Sequence, residues 1–392
     1  MTESAQEFHT LWGTPHSLYT GKIRSYLIKK GLPFRELCPT HPRFRSHIRA
    51  ATQLKVAPVI ETPDGEILQD TTDMIEYFEQ RLPEPQMNPD TPVQRAVAWL
   101  ISAYGSEGLL ATAMSYRWSY REQQEHFLRA EFGRGIYAGP DRNARNEAGL
   151  KFMNYFNNFL PLFFGVTEET QGTIETVYLE LLDALDIHFQ HYPYVMGGRP
   201  SIADFGLMAP LYAHLARDPV PATLMKNRAP NVYRWTERMN RAGIADGEYH
   251  NCPEAYFPDD TIAPTLEPVL CLLFEAWGPE TRANADLYNA WVSEHPELPA
   301  GHLVAHNDER VVHPTLGPIE YRLRDCTIKR ASAPHGLWHF DRSAAYTRQL
   351  DGEAAERFAA LVQRNGGEEM MAIRLARPMQ RQDYVLVLGS NP

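Results

Sequence analysis

Ser17 is the first residue whose place in the chain invites chemistry. It closes the polar turn GTPHS and opens the helix-like run LYTGKIRSYLIKK. A serine hydroxyl there accepts from an otherwise unpaired N–H in the first helical turn. The start of a helix facing a strand end also offers free N–H groups and partial positive charge, which suit a thiolate or a carboxylate. Thr14, His16 and Tyr19 share the turn and are rival donors, and a purely structural cap is the competing reading of Ser17. Asp70 and Thr71 open a second helix-like run, DTTDMIEYF, where either side chain can cap. His302 and His306 have i, i+4 spacing, as do other pairs in a chain with 15 histidines. No third ligand candidate accompanies them at motif spacing, so no metal is expected. Cys38, Cys252, Cys271 and Cys326 are scattered without C-x-x-C spacing.

The elements that must position these groups follow in order. Thr10–Phe34 reads as strand, turn and amphipathic helix, with Ile23, Tyr26 and Leu27 on the apolar face and Gly31 as the stop. LKVAPVIE places a proline just before a strand. PDGEIL is a hairpin turn with a returning strand, and the Asp70 helix follows. Four prolines in PEPQMNPDTP then mark a linker. From Val93 the pattern is helical. Ala96 to Tyr104 mark one helix, which Leu128 and Phe132 continue irregularly, Phe152 to Leu160 mark another, and Ile174 to Phe189 give i, i+3, i+4, i+7 spacing. Ser201 and Asp204 have capping-box spacing, with Asp in place of the usual Glu.

The order strand–helix–strand, then proline–strand–hairpin–strand–helix, resembles the thioredoxin-like domain of the glutathione S-transferase superfamily. SLYTGKIR looks like that family's S-P-x-x-R-K-V-R start of the first helix, VAPVIE like its cis-proline segment, and DTTDMIEYF like its E-S-x-A-I-L-x-Y-L segment. GGRPSIADF resembles the G-x-x-S-x-A-D start of a buried helix in the family's all-helical second domain, and PNVYRW resembles its late P-x-V-x-x-W helix. The resemblance covers roughly residues 8 to 242. It implies an α/β thioredoxin-like domain over 1–84 and an all-α domain over 92–250. Residues 255–392 form a small α+β extension that resembles no family. There Leu266, Val269, Leu270, Leu273, Phe274 and Trp277 make an apolar helical face stopped at Gly278-Pro279. A second short helix is expected from Arg282 to Glu294, a strand at Ile319–Arg324, a helix at Ala354–Leu361 and a buried strand at Tyr384–Leu388.

What the resemblance implies for function is specific. Glutathione is the co-substrate, held with its sulfur as a thiolate, and Ser17 sits where serine-type members place the hydroxyl that donates to it, although Leu18 replaces the usual proline. The backbone of Ala57, before Pro58, pairs with the cysteinyl part of glutathione. Asp70 and Thr71 match the Glu-Ser pair that binds the γ-glutamyl ammonium and carboxylate. Lys55 or Arg45 is the choice of cation for the glycyl carboxylate, ahead of His41, Arg43 and His47. Tyr19, Tyr116 and Trp118, with Met114, Arg117 and Tyr120 nearby, are expected to line the electrophile pocket. Cysteine is absent between Leu11 and Gly31, which favours addition or substitution over glutathione-dependent thiol reduction.

A formal net charge of −11 over 392 residues argues against nucleic acid or an anionic membrane as the main partner. The first ten residues show no basic-then-apolar leader pattern and no apolar run approaches membrane-spanning length. A cytoplasmic homodimer is the expectation. The function expected is glutathione thiolate addition, substitution or thiolytic cleavage on a small apolar electrophile. The alternative is a non-catalytic module of the same fold that binds a partner. The two differ in whether Ser17 and Asp70 face an open cleft or lie under the extension.

Overall fold

The computed structural model describes residues 8–390, apart from 158, 306 and 308, so the expected His302/His306 pair lies partly outside the described residues. The first unit runs β1 (His9–Trp12), α1 (Leu18–Lys30), β2 (Phe34–Leu37), a π-turn at Phe44–Ile48 leading into α2 (Arg49–Thr52), β3 (Val59–Glu61), β4 (Ile67–Gln69) and α3 (Thr71–Arg81). Its sheet has the order β2-β1-β3-β4, parallel between β1 and β2 and antiparallel elsewhere, with Leu11 opposite Ile60. Ser17 caps α1 by accepting from Thr20 N–H, and Gly31 ends it at φ 71°. That left-handed conformation is one glycine adopts without a Cβ penalty.

The helical unit follows: α4 (Pro92–Ala103), α5 (Leu110–Trp118), α6 (Arg121–Ile136), α7 (Arg142–Asn157), α8 (Phe159–Phe164), α9 (Glu168–His191), α10 (Ile202–Pro210), α11 (Pro219–Arg228) and α12 (Pro230–Met239). Leu128 and Phe132 do not continue α4. They lie on α6, packed against Trp118 and Met153. Asp204 closes the capping box on α10 and is wholly buried. One of its oxygens accepts from Ser201 N–H at 2.9 Å and Ser201 Oγ–H at 3.0 Å, the other from Val195 N–H and Trp235 Nε1–H at 3.0 Å each. Every lone pair it brings inside is thereby used, as a buried carboxylate requires.

The extension contains α13 (Glu267–Glu294), β5 (Pro318–Leu323), β6 (Cys326–Ala331), α14 (Pro334–Thr347), α15 (Gly352–Arg364), α16 (Glu368–Met371), β7 (Met379–Gln382) and β8 (Val385–Leu388). The expected stop at Gly278-Pro279 does not occur, because α13 runs through it as one helix. Proline forfeits one backbone bond, but burial of Leu273 and Trp277 before it and of Ala285 and Tyr288 after it holds both halves in line. α13 packs on α9 and on the β5–β6 hairpin, and α14 packs on α4, so the extension shares one apolar core with the first two units. Among the described residues, no helix is long and apolar enough to cross a membrane.

Candidate functional site

α14 was not foreseen from the sequence, and it decides the site. Its residues His335 and His339 lie one turn apart and face Asp70 at the start of α3. Asp70 Oδ1 caps α3 by accepting from Thr72 and Asp73 N–H at 2.8 and 3.4 Å. Its Oδ2 lies 3.2 Å from His335 Nε2, 3.7 Å from His339 Nε2 and 3.1 Å from Arg381 Nη1. Glu107, in the π-turn after α4, takes a hydrogen bond from Tyr19 Oη–H at 3.0 Å and stands 3.5 Å from His335 Nδ1. Lys22, buried on α1, donates to Thr72 Oγ1 and Ser106 Oγ at 3.1 and 3.0 Å. Arg342 of α14 clamps Asp73 at 2.7 Å and Glu76 at 2.5 Å, with its guanidinium over the Trp338 ring. Two elements of the extension, α14 and β7, thus converge on the start of α3, and His313, in the loop before β5, packs its ring on Tyr19 and His335 beside them.

Burial sets the electrostatics, and the pairing opposes it. Burial pushes the Asp70 carboxyl up, but hydrogen bonds from His335 and His339 and the charge of Arg381 hold it well below the ordinary range. Burial also raises Glu107, while the charge of His335 beside it brings it down to about 2. Burial lowers His335, yet Glu107 and Asp70 raise it to about 9. For His313 burial wins, and the ring titrates near 4. Burial and the neighbouring Glu107 carry the Tyr19 hydroxyl well above its usual value. At neutral pH the cluster therefore holds two carboxylates, the Arg381 guanidinium and an imidazolium on His335, with Tyr19 protonated.

Two cavities meet at this cluster. A small polar one of about 30 Å³ is lined by Tyr19, Ala57, Pro58, Asp70, Thr71 and His335, among others. That space admits water and no tripeptide. A larger one of about 430 Å³ has apolar walls from Leu110, Met114, Phe156, Phe159, Phe163 and Phe164, and it ends on Tyr19, Glu107 and His335. His313, stacked on Tyr19 at 6.0 Å, and His335 are walls common to both.

The expected residues divide accordingly. Tyr19, Ala57, Pro58, Asp70 and Thr71 come together, and the Ala57–Pro58 bond is cis. Ser17 lines neither cavity; its Oγ accepts from Thr20 N–H at 3.3 Å. Lys55 and Arg45 are exposed and stand outside both cavities. Tyr116 packs between Tyr120 and Tyr178, and Trp118 stacks on Phe132 and Phe156, behind the pocket wall. Of the neighbours named with them, Met114 lines the large cavity, whereas Arg117 is sealed in the core on Asp218. Glu107, His313, His335, His339 and Arg381 were missed. A signal existed for two of them: HGLWH has the same i, i+4 spacing as the pair singled out at 302 and 306.

Comparison with known proteins adds the family. Residues 11–86 match the model of the glutathione S-transferase N-terminal domain, and residues 152–242 that of the glutathione S-transferase C-terminal domain. No curated protein matches the chain. Among solved structures, it is similar to a glutathione S-transferase from Rhodospirillum rubrum F11, at 14% identity over 66% of this chain and 97% of that one, TM-score 0.36. It is also similar to the beta-etherase LigF from Sphingobium sp. strain SYK-6, at 18% identity over 62% and 97%, TM-score 0.41. FzlA from C. crescentus gives 16% identity over 66% and 96%, TM-score 0.39. With both domain models matched in order on one chain, the protein belongs to the glutathione S-transferase superfamily, and its C-terminal extension lies against the start of α3.

Proposed function

We propose that this glutathione transferase-like protein binds a mainly apolar small molecule in the aromatic cavity and moves a proton at that molecule's one polar end. A single observation carries the reading: a cavity of about 430 Å³ walled by phenylalanines, leucines and a methionine ends on Tyr19, Glu107 and His335. The volume falls in the range of small-molecule sites, and a few convergent polar groups in an apolar pocket are what fixes a ligand's orientation. Tyr19 Oη–H and the His335 ring are the donors there, and Glu107 is the acceptor between them. Such a constellation suits an apolar substrate bearing one oxygen, such as a carbonyl or phenol, whose proton inventory changes in the reaction.

Attack by a glutathione thiolate on an apolar electrophile is the second reading. It is favoured by the two cavities sharing Tyr19, His313 and His335 as a wall, since displacing the His313 segment and α14 would join a tripeptide channel to an electrophile pocket. In the present packing the cationic groups on Asp70 belong to the chain itself.

Titration with 1-anilinonaphthalene-8-sulfonate and, separately, calorimetry with glutathione test the proposal. The dye should bind with a blue-shifted emission that Met114→Trp abolishes, and glutathione should give no saturable heat. Dye binding indifferent to both Met114→Trp and Phe159→Asp would overturn the pocket. A saturable glutathione heat would install the second reading.

A further inference from the structure

We propose that Asp70, His335 and His339 form a binding site for a divalent transition-metal ion, beyond the small-molecule reading above. The two histidines are four residues apart on α14, so their rings leave the same face of the helix. Asp70 reaches them from the start of α3, and one atom of each residue lies within 4.8 Å of the others. An ion with bonds of about 2.0–2.2 Å holds its ligand atoms roughly 3.0–3.6 Å apart. His335 Nε2 and His339 Nε2 are 3.2 and 3.7 Å from Asp70 Oδ2, so both nitrogen–oxygen separations are already close to that range.

The surroundings of the rings support this. A ligating histidine is oriented by an acceptor for its other N–H. His339 Nδ1 faces Thr72 Oγ1 at 3.5 Å, and His335 Nδ1 faces Glu107 Oε2 at 3.5 Å. Binding of the ion displaces the Nε2 proton that His335 directs at Asp70, and that proton leaves to solvent. The proton each ring then keeps is on Nδ1, facing Glu107 or Thr72, so that both Nε2 atoms can ligate. His335 Nδ1 is itself a buried polar atom without a hydrogen bond in this packing. A small closing movement that draws the ring toward an ion would also let it settle on Glu107. Glu107 Oε1, 3.8 Å from His339 Nε2, is within reach as a further oxygen ligand.

The donor set and charge choose the ion. Two imidazoles and a carboxylate suit iron, cobalt, nickel or zinc rather than magnesium or calcium, which prefer oxygen alone. Arg381 and Lys22 balance the Asp70 and Glu107 carboxylates, so a bound dication leaves the site positive. An open coordination position would therefore take an anionic oxygen, such as hydroxide or a carboxylate.

The full-length protein, stripped with a chelator and titrated with Co²⁺, tests the site by visible absorption. One equivalent should bind with the ligand-field bands of nitrogen–oxygen coordination, Zn²⁺ should displace it, and His339→Gln should weaken binding by more than about tenfold. The His335→Gln/His339→Gln variant, checked for folding by circular dichroism, should lose the bands. Absence of Co²⁺ bands in folded wild-type protein would overturn the proposal, and so would bands that persist in the double variant.

Discussion

Replacing Asp70 tests whether the extension is locked onto α3 by charge. Asp70→Asn keeps the Oδ1 acceptor for Thr72 and Asp73 N–H and nearly the same volume. It removes the counter-charge from Arg381 and His335, whose side chains are only 8% and 5% exposed. Breaking a buried pair by deleting one partner leaves an uncompensated charge, which typically costs about 3–5 kcal/mol. Asp70→Ala adds the loss of the helix cap, about 1 kcal/mol. It also leaves a residue at φ 74°, a conformation that asparagine and aspartate tolerate better than alanine, for roughly another 1 kcal/mol. The expected order is therefore wild type, then Asn, then Ala, with steps of about 3–5 and about 2 kcal/mol. Urea unfolding of chelator-treated protein reads the steps, and amide hydrogen exchange locates them, with α14 and β7 expected to lose protection first. An Asp70→Asn variant within about 1 kcal/mol of wild type, with α14 still protected, would refute the lock.

Four further outcomes are expected. Asp218→Ala should destabilise by about 3–5 kcal/mol in thermal or urea unfolding, because Arg117 loses a bidentate partner at 2.6 and 2.9 Å in a site 3% exposed or less; a loss under about 1 kcal/mol would count against it. Ser17→Ala should lower stability by only about 1 kcal/mol, the worth of a cap, and leave dye binding intact; abolished binding would return Ser17 to the site. His188 donates from Nε2 to Tyr194 O and accepts from Thr265 Oγ1–H, and burial lowers its pKa to about 4, so the folded protein holds it neutral. The unfolded chain takes up that proton near pH 6.5, so stability should be full above that value and fall by up to about 3 kcal/mol toward pH 4, and His188→Gln should flatten the slope between pH 7 and 5. Truncation after Gly247 should expose the α4 and α9 faces now covered by α13 and α14 and drive aggregation; a monodisperse, fully stable truncated chain would make the extension a separate module.

The residues that the sequence alone determined are those whose partners are close along the chain. Ser17 and Gly31 bracket α1, and Ser201 with Asp204 starts α10, because caps and positive-φ stops act over three or four residues. The proline-strand-hairpin order around Pro58 is likewise local, and together with the segments opening α1, α3, α10 and α12 it carried the resemblance to the family. What only the tertiary structure decided is the environment of Asp70. Its three opposing side chains, His335, His339 and Arg381, come from more than 260 residues away. Local spacing carries no record of that meeting, and neither periodicity nor capping could distinguish an Asp70 open to a ligand from one already satisfied by its own chain. The same holds for Gly278-Pro279: read locally it ends a helix, whereas burial on both flanks keeps α13 whole. Local chemistry wrote the elements, and long-range burial of charge and apolar surface decided which of them face a ligand.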